Sequence, residues 1–421
     1  MAMSLPTKII LIIPNLGMGG AQRVFHDHSV ELAKYYAVTE AVFNLEGGDL
    51  YPSGNPVVSL EVSGGGGALA KIRNFQRRIS GLRRLRERLR PAVVVSHLEG
   101  ADYVNLLSGG PGKTVLCVHG SKLHDANIIG PIGWLRKRVL MPYLYNRADA
   151  IVTVSRDIGP ELIRFFGVNP NKIVTINNFF EVLSIEARSR EPLSPSEQAI
   201  YDSGPVLVTS GRLALQKNQQ PFLTAFATLR RHMPNVKLIF VGDGELRDEL
   251  VTAARGLSLR VYATWGNEEL TSDFDVYFLG LQANPFKYIR PATAFVFPSA
   301  WEGFPMALGE AMICGVPVVS ADCPTGPREM LAPQTFTPNI QLRQIERTPF
   351  GLLMPMLTNA ATLDEDQNVW AAALTDLLAN PAQAKEIGQQ GRKRMNDFTR
   401  ELIFDQWLAL LHRVTSSTQP V

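Results

Sequence analysis

The chain has 421 residues, which favours two domains of about 200 residues over one. A composition of 45% hydrophobic and 19% charged residues suits a packed α/β protein and excludes a disordered one. The net charge is only +3, but the cations are unevenly placed. Lys8 and the apolar run Ile9–Ile13, closed by Pro14, read as a first strand and not a signal peptide. A Gly-rich turn from Asn15 to Gly20 follows, then a helix from about Ala21 to Tyr35. Gly64–Gly67 reads as a hinge or loop before a helix over 68–90. Ala92–Ser96, Thr114–Val118, Ala150–Val154 and Ile173–Ile176 read as strands, with helices at 134–147 and 157–166. This alternation predicts βαβ units and a doubly wound sheet over residues 1–183. Residues 184–204, rich in Ser, Glu and Pro, read as a linker. A second alternation fills 205–395, through Val206–Ser210, Lys237–Val241, Phe274–Leu279, Ala294–Phe297 and Val316–Ser320. The stretch Leu257–Asp273 has no assignment. A last helix spans about Arg400–Val414 within 396–421, and 415–421 is expected to fray.

The helix at 68–90 carries most of the charge asymmetry. Residues 71–90 hold nine Lys or Arg against one acid, Glu87. Ile72, Phe75, Ile79, Leu82, Leu85 and Leu89 recur every three or four residues on one face. Such a helix predicts contact with an anionic membrane surface or a polyphosphate acceptor, with Arg73, Arg77, Arg78, Arg84 and Arg88 as candidates. Arg136, Lys137 and Arg138, near Trp134, extend the basic region. The plainer reading packs the apolar face on the sheet and leaves the charges in water. Interleaved aromatics stop at Phe75, which speaks against nucleic acid. No apolar run reaches the roughly 20 residues of a membrane span. Cys117, Cys314 and Cys323 lie far apart without metal-ligand spacing and read as reduced thiols of a cytosolic protein.

Chemistry concentrates after the strand Ala294–Phe297. Glu302-Gly303-Phe304-Pro305 forms a loop at the strand's carboxyl end, and Glu310 lies about two turns into the next helix. Ligands of open α/β sheets bind at such ends. Amides around Gly303 and Phe304 suit a phosphate, and two carboxylates suit sugar hydroxyls. Arg212 and Lys217 follow the strand Val206–Ser210 and suit a diphosphate. Together these predict a nucleotide-sugar site. Gly242, in Val241-Gly242-Asp243-Gly244, reads as a tight turn after a strand. Gly19 and Gly20 read either as a plain strand-to-helix turn or as backbone opened to an anion. His119 follows the strand Val115–Val118 and reads either as a structural or solvated histidine or as one that reaches the crevice. His97, Ser155 and Asn178 hold comparable positions after their strands.

These motifs, in this order, resemble the GT4 family of retaining glycosyltransferases, which have the GT-B fold. They are Gly19-Gly20-Ala21, Gly211-Arg212-Leu213 with Lys217-Asn218, Val241 to Glu245, Leu279-Gly280 through Asn284-Pro285, Glu302 to Glu310, and Ser320 to Glu329. The likeness covers roughly 330 residues. It implies two Rossmann-like doubly wound domains facing across a cleft, with the last helix crossing back to the first. It implies sugar transfer without metal or other cofactor. Glu302 is then the donor-sugar glutamate and Glu310 the ribose glutamate. Arg212 and Lys217 hold the pyrophosphate, and His119 meets the donor sugar. Gly303, Phe304, Pro305 and Leu308 belong to the same donor loop and helix, and the Gly242 loop approaches the nucleotide. Gln22 departs from the pattern, where relatives often carry Glu. Cys323 to Leu331 resembles bacterial members that extend undecaprenyl-diphosphate glycans. The implied reaction moves a hexose or N-acetylhexosamine from a UDP-linked donor to a lipid-linked glycan, at the inner face of the cytoplasmic membrane, in surface polysaccharide or oligosaccharide assembly. A nucleotide-sugar 2-epimerase or hydrolase, or an inactive partner subunit, would share the fold.

Overall fold

The computed structural model describes residues 6–17, 19–45, 53–123, 133, 135–335 and 341–416. Trp134 and residues 417–421 lie outside this set. The chain forms two compact units, one from 1–178 with 401–421 and one from 179–400.

The first unit is built on a seven-stranded sheet in the order β3-β2-β1-β4-β5-β6-β7. Its strands are β1 (Lys8–Ile13), β2 (Ala37–Val42), β3 (Val57–Ser59), β4 (Val93–His97), β5 (Lys113–Val118), β6 (Ala150–Thr153) and β7 (Ile173–Thr175). All pair in parallel. β1 lies inside the sheet between β2 and β4, and Ile9 to Ile13 are all buried, as a parallel strand covered on both faces requires. The order reverses between β1 and β4, so the loops after these strands flank a switch point.

The basic helix, Ala68–Leu89, packs Leu82 and Leu85 into the core with Phe75, Ile79 and Leu89 partly buried beside them. Its apolar face therefore covers the sheet. The expected helix at 134–147 is present from Leu135 to Tyr145 but is not α-helical throughout. A π-helical segment, Arg136–Leu140, passes into an α-helix, Met141–Tyr145. The last helix, Arg400–Ser416, packs in this first unit, with Trp407 against His28 at 4.7 Å between ring centroids.

The second unit holds an eight-stranded sheet, β10-β11-β9-β8-β12-β13-β15-β14. Its strands are β8 (Val206–Ser210), β9 (Lys237–Val241), β10 (Val261–Ala263), β11 (Val276–Phe278), β12 (Ala294–Phe297), β13 (Val318–Ala321), β14 (Glu346–Thr348) and β15 (Gly351–Met354). Among the described strands only the β14–β15 pair is antiparallel. β8 and β12 are neighbours at this sheet's own switch point. Trp370, fully buried, fills the core against Phe222 and donates Nε1–H to Pro355 O at 2.8 Å.

Two readings need correction. Residues 184–204 are not a bare linker. They carry the end of one helix, Val182–Ser189, and the whole of another, Pro195–Asp202, whose Ser194 and Glu197 form a capping box. The same Ser, Glu and Pro that suggested a linker are the helix-start signal. The unassigned stretch Leu257–Asp273 contains β10, an edge strand paired only with β11.

Candidate functional site

The switch point of the second unit gathers most of the predicted donor residues. β8 ends at Ser210, and the chain turns through Gly211 and Arg212 into a short 3₁₀ turn, Leu215–Lys217. β12 ends at Phe297, and its loop leads through Glu302 to the helix Met306–Ile313. The two loops are tied together. Ala300 N–H donates to Gln216 O at 2.8 Å, and Gln216 Nε2 donates to Trp301 O at 2.8 Å.

Lys217 and Glu302 meet here. Lys217 Nζ lies 2.6 Å from Glu302 Oε1, with the Glu302 side chain 8% exposed. The ammonium also sits 5.3 Å from the Phe297 ring centroid. A desolvated cation beside a desolvated carboxylate can exchange partners when a diphosphate and a sugar arrive. Arg212 is not part of this pair. It is exposed, and its Nε lies 3.0 Å from Glu245 Oε2. Such a surface pair holds its side chain weakly, so Arg212 is free to turn to an incoming anion.

Gly242 lets β9 approach the β8 loop closely. Its φ is +142°, and a Cβ there would stand 2.1 Å from Gly211 O. Its N–H donates to Gly280 O at 2.9 Å. The helix after Glu302 begins at Met306, so Glu310 lies little more than one turn in, not two. Glu310 is buried. Phe304 packs its ring near Phe180 and Phe398, and Leu308 is fully buried. Neither side chain is open to a ligand, which leaves them their backbone. The Gly303 and Phe304 amides donate to no backbone carbonyl among the described residues.

The first unit supplies a separate group. Gly19 precedes the helix Gly20–Leu32, and no atom lies within 4 Å of a Cβ built on Gly20. His28, His97 and His119 form a row, with centroids 5.4 Å and 5.0 Å apart. His97 Nδ1 lies 2.9 Å from His119 Nε2, so one ring donates and the other accepts. Cys117 stands beside them, and donor atoms of His97, Cys117 and His119 fall within 4.8 Å of one another. That donor set suits a borderline cation such as zinc, but the two imidazoles already satisfy each other. Only His119 of the row is partly exposed. Ser155 and Asn178 are buried, each with a side-chain oxygen lacking a hydrogen-bond partner among the described residues. Of the acceptor candidates, Arg78 is already engaged: it donates to Val62 O and Ser63 O and lies 4.4 Å over Phe43. Arg73, Arg77, Arg84 and Arg88 are exposed. Their spacing of 4, 11 and 15 residues places all four on one stripe opposite the buried face.

Sequence reading missed the acids that shape the first unit. Glu161 accepts from Ser121 Oγ and Lys122 N, both at 2.6 Å, and so pins the loop after His119. Asp102 accepts from Ser96 Oγ at 2.7 Å and Tyr145 OH at 3.2 Å. Neither acid lies in a motif, and only the tertiary pairing gives it a role.

Burial sets the protonation of this unit. It pushes His28 down to about 4 and His119 to about 3, and it holds His97 well below its ordinary value. Below pH 6.5 the unfolded chain binds protons that these folded histidines refuse, so stability falls with pH. Burial raises Asp102 to about 7, which acts in the opposite sense over the same window. Three groups against one predict a falling melting temperature from pH 6.5 to 5, at up to about 1.4 kcal/mol per pH unit for each histidine. Calorimetry across that range checks it, and a flat profile would contradict it.

Residues 18–182 match the family model for Glycosyltransferase Family 4, and residues 191–337 match Glycosyl transferases group 1. The chain is 30% identical over 278 residues to an uncharacterised glycosyltransferase of Methanocaldococcus jannaschii, covering 64% of each chain. It is 29% identical over 202 residues to a Campylobacter jejuni enzyme, covering 48% of this chain and 49% of the relative. That enzyme is named N-acetylgalactosamine-N,N'-diacetylbacillosaminyl-diphospho-undecaprenol 4-alpha-N-acetylgalactosaminyltransferase. The matches thus span under two thirds of either relative's length. Among solved structures, Anabaena HepE in complex with UDP and glucose superposes with a TM-score of 0.71 at 18% identity, over 97% of this chain and 100% of that one. Two parallel-sheet α/β units, each matched by its own glycosyltransferase model, together with this superposition, give the chain the GT-B fold.

Proposed function

We propose that the chain is a retaining, metal-independent glycosyltransferase. It moves a hexose or N-acetylhexosamine from a UDP-linked donor to a lipid-linked glycan at the inner face of the cytoplasmic membrane. The observation that carries this reading is the Lys217–Glu302 pair at the switch point of the second sheet. Lys217 turns from Glu302 to the donor diphosphate, joined by Arg212, and Glu302 then accepts hydrogen bonds from the sugar hydroxyls. Charge grows on the diphosphate as the sugar departs, and the two cations stabilise it. The acceptor hydroxyl attacks on the same face, and the departing phosphate takes its proton. Gly303 and Phe304 amides meet the sugar and phosphate, Glu310 the ribose, and Gly19, Gly20 and His119 the donor from the first unit. A neutral His119 is a hydrogen-bonding partner at pH 7.

The acceptor class is supported by the undecaprenol-linked substrate in the Campylobacter relative's name, and UDP by the ligand in the HepE structure. Among the described residues, no helix is long and apolar enough to cross a membrane. The stripe of Arg73, Arg77, Arg84 and Arg88 supplies surface attraction to anionic lipid, with each cation near the bilayer contributing about 1 kcal/mol.

One assay tests the whole reading. Labelled UDP-sugars are offered with anionic vesicles that carry an undecaprenyl-diphosphate glycan. Sugar should move to the lipid with its anomeric configuration kept and with chelator present. Changing the four stripe arginines to Gln should cut transfer in vesicles more than tenfold and spare transfer in detergent. Release of free sugar or an epimer without lipid would instead identify a hydrolase or 2-epimerase.

A further inference from the structure

The segment from Asp322 to Glu329 has no role in the chemistry above, yet it grips the Glu302 loop from behind. Pro324 O accepts the Glu302 amide at 2.6 Å, and Thr325 N–H donates to Glu302 O at 3.3 Å. Thr325 Oγ1 lies 2.9 Å from Glu302 O and 3.0 Å from Gly303 O. Thr325 is only 2% exposed, so water does not compete for these carbonyls. Gly326 closes the contact. Its φ is +100°, and a Cβ there would stand 2.5 Å from Pro305 Cδ and 2.9 Å from Gly303 O. Arg328, 5% exposed, anchors the grip by bonding Asp322 at 2.7 to 3.1 Å and Glu346 at 2.8 Å.

Peptide geometry turns this grip into a functional statement. The Glu302–Gly303 and Gly303–Phe304 peptides are trans and planar. A carbonyl drawn towards Thr325 therefore sends the N–H of the same peptide the opposite way. Two consecutive carbonyls meet one hydroxyl, so two consecutive amides, Gly303 and Phe304, turn away from it together.

We propose that the Thr325 hydroxyl is what aims the Gly303 and Phe304 amides at the donor, making Thr325 a positioning residue for the Glu302 loop. The assignment rests on the nucleotide-sugar reading of this site. Thr325 itself touches no substrate. Preorganised amides act on an anion without reorganising when it arrives; loss of the hydroxyl releases Gly303 O outright and leaves Glu302 O held by the Thr325 N–H alone.

Thr325→Val keeps the shape and the N–H but removes the O–H, whereas Thr325→Ser keeps the O–H. UDP affinity by calorimetry, donor KM, kcat and melting temperature are measured for both, with Lys217→Ala alongside. The expected result is at least tenfold weaker UDP binding and a raised donor KM in Thr325→Val. Thr325→Ser should stay within threefold of the wild type. Should Thr325→Val fail to fold, Thr325→Cys, a weak donor, takes its place in the comparison. Wild-type UDP affinity in the Val or Cys variant overturns the proposal, as does a Ser variant as weak as either. If Lys217→Ala also binds UDP normally, the site reading has failed. If Lys217→Ala alone loses UDP, only the role of Thr325 has failed.

Discussion

Changing Arg212 and Lys217 together to Ala should slow sugar transfer by about 10²–10³-fold, the scale of losing charge-stabilising groups. The two residues should not share that loss equally. Lys217 is fixed against Glu302 and the Phe297 ring, whereas Arg212 rests on an exposed pair with Glu245. Lys217→Ala alone should therefore carry most of the kinetic effect. It should also lower the melting temperature, because it strands a carboxylate that is 8% exposed, and breaking a buried pair costs about 3–5 kcal/mol. The double variant Lys217→Ala, Glu302→Gln removes the stranded charge and should recover much of the stability but none of the rate. Single-turnover transfer and calorimetry on the three variants check both halves. Near-normal turnover in the Arg212, Lys217 double variant would refute the assignment of the anion site.

Gly242→Ala should be the most damaging single methyl in the second unit's loops. The new Cβ would stand 2.1 Å from a backbone oxygen, Gly211 O, and a φ of +142° disfavours any side chain. Neither neighbour can give way by rotating a side chain. Overpacking and backbone strain together cost about 3 kcal/mol or more, which is roughly 6–12 °C of melting temperature in a domain of this size. The displaced atom belongs to the residue before Arg212, so donor affinity should fall as well. Gly20→Ala is the control. It meets no atom within 4 Å, so it should leave stability nearly unchanged. Equal melting temperatures for the two variants would contradict the packing described for Gly242.

The doubly wound class was legible because β1, β5, β8 and β12 are runs of apolar residues that only a sheet covered on both faces can use. β2, β3, β10, β14 and β15 escaped; β3, β10 and β14 have three residues each, too few to show a period, though the equally short β7 was found. The pairing of Lys217 with Glu302 was legible as a shared crevice, since both follow strands at a switch point. The resting place of Arg212 was not, because an exposed arginine's rotamer depends on neighbours such as Glu245 that no motif names. The basic helix reads both ways at once. Its apolar residues pack on the sheet except Ile72, which is exposed, and its arginines divide between structure and surface. Arg86 is 1% exposed and donates to Gly109 O and Thr114 Oγ1, while Arg73, Arg77, Arg84 and Arg88 face solvent. Counting cations along a sequence cannot separate these two kinds.

The return of the last helix to the first unit has a consequence for synthesis. The second unit is an insertion within the first, and Trp407, packed against His28, is made only after the whole of that insertion. The inserted unit can complete its core while the chain is still growing. The amino-terminal unit must wait, with its His28 face uncovered, until the segment after residue 400 has been made. Nascent chains halted before residue 400 should therefore protect the inserted unit from protease and leave the amino-terminal one open to cleavage.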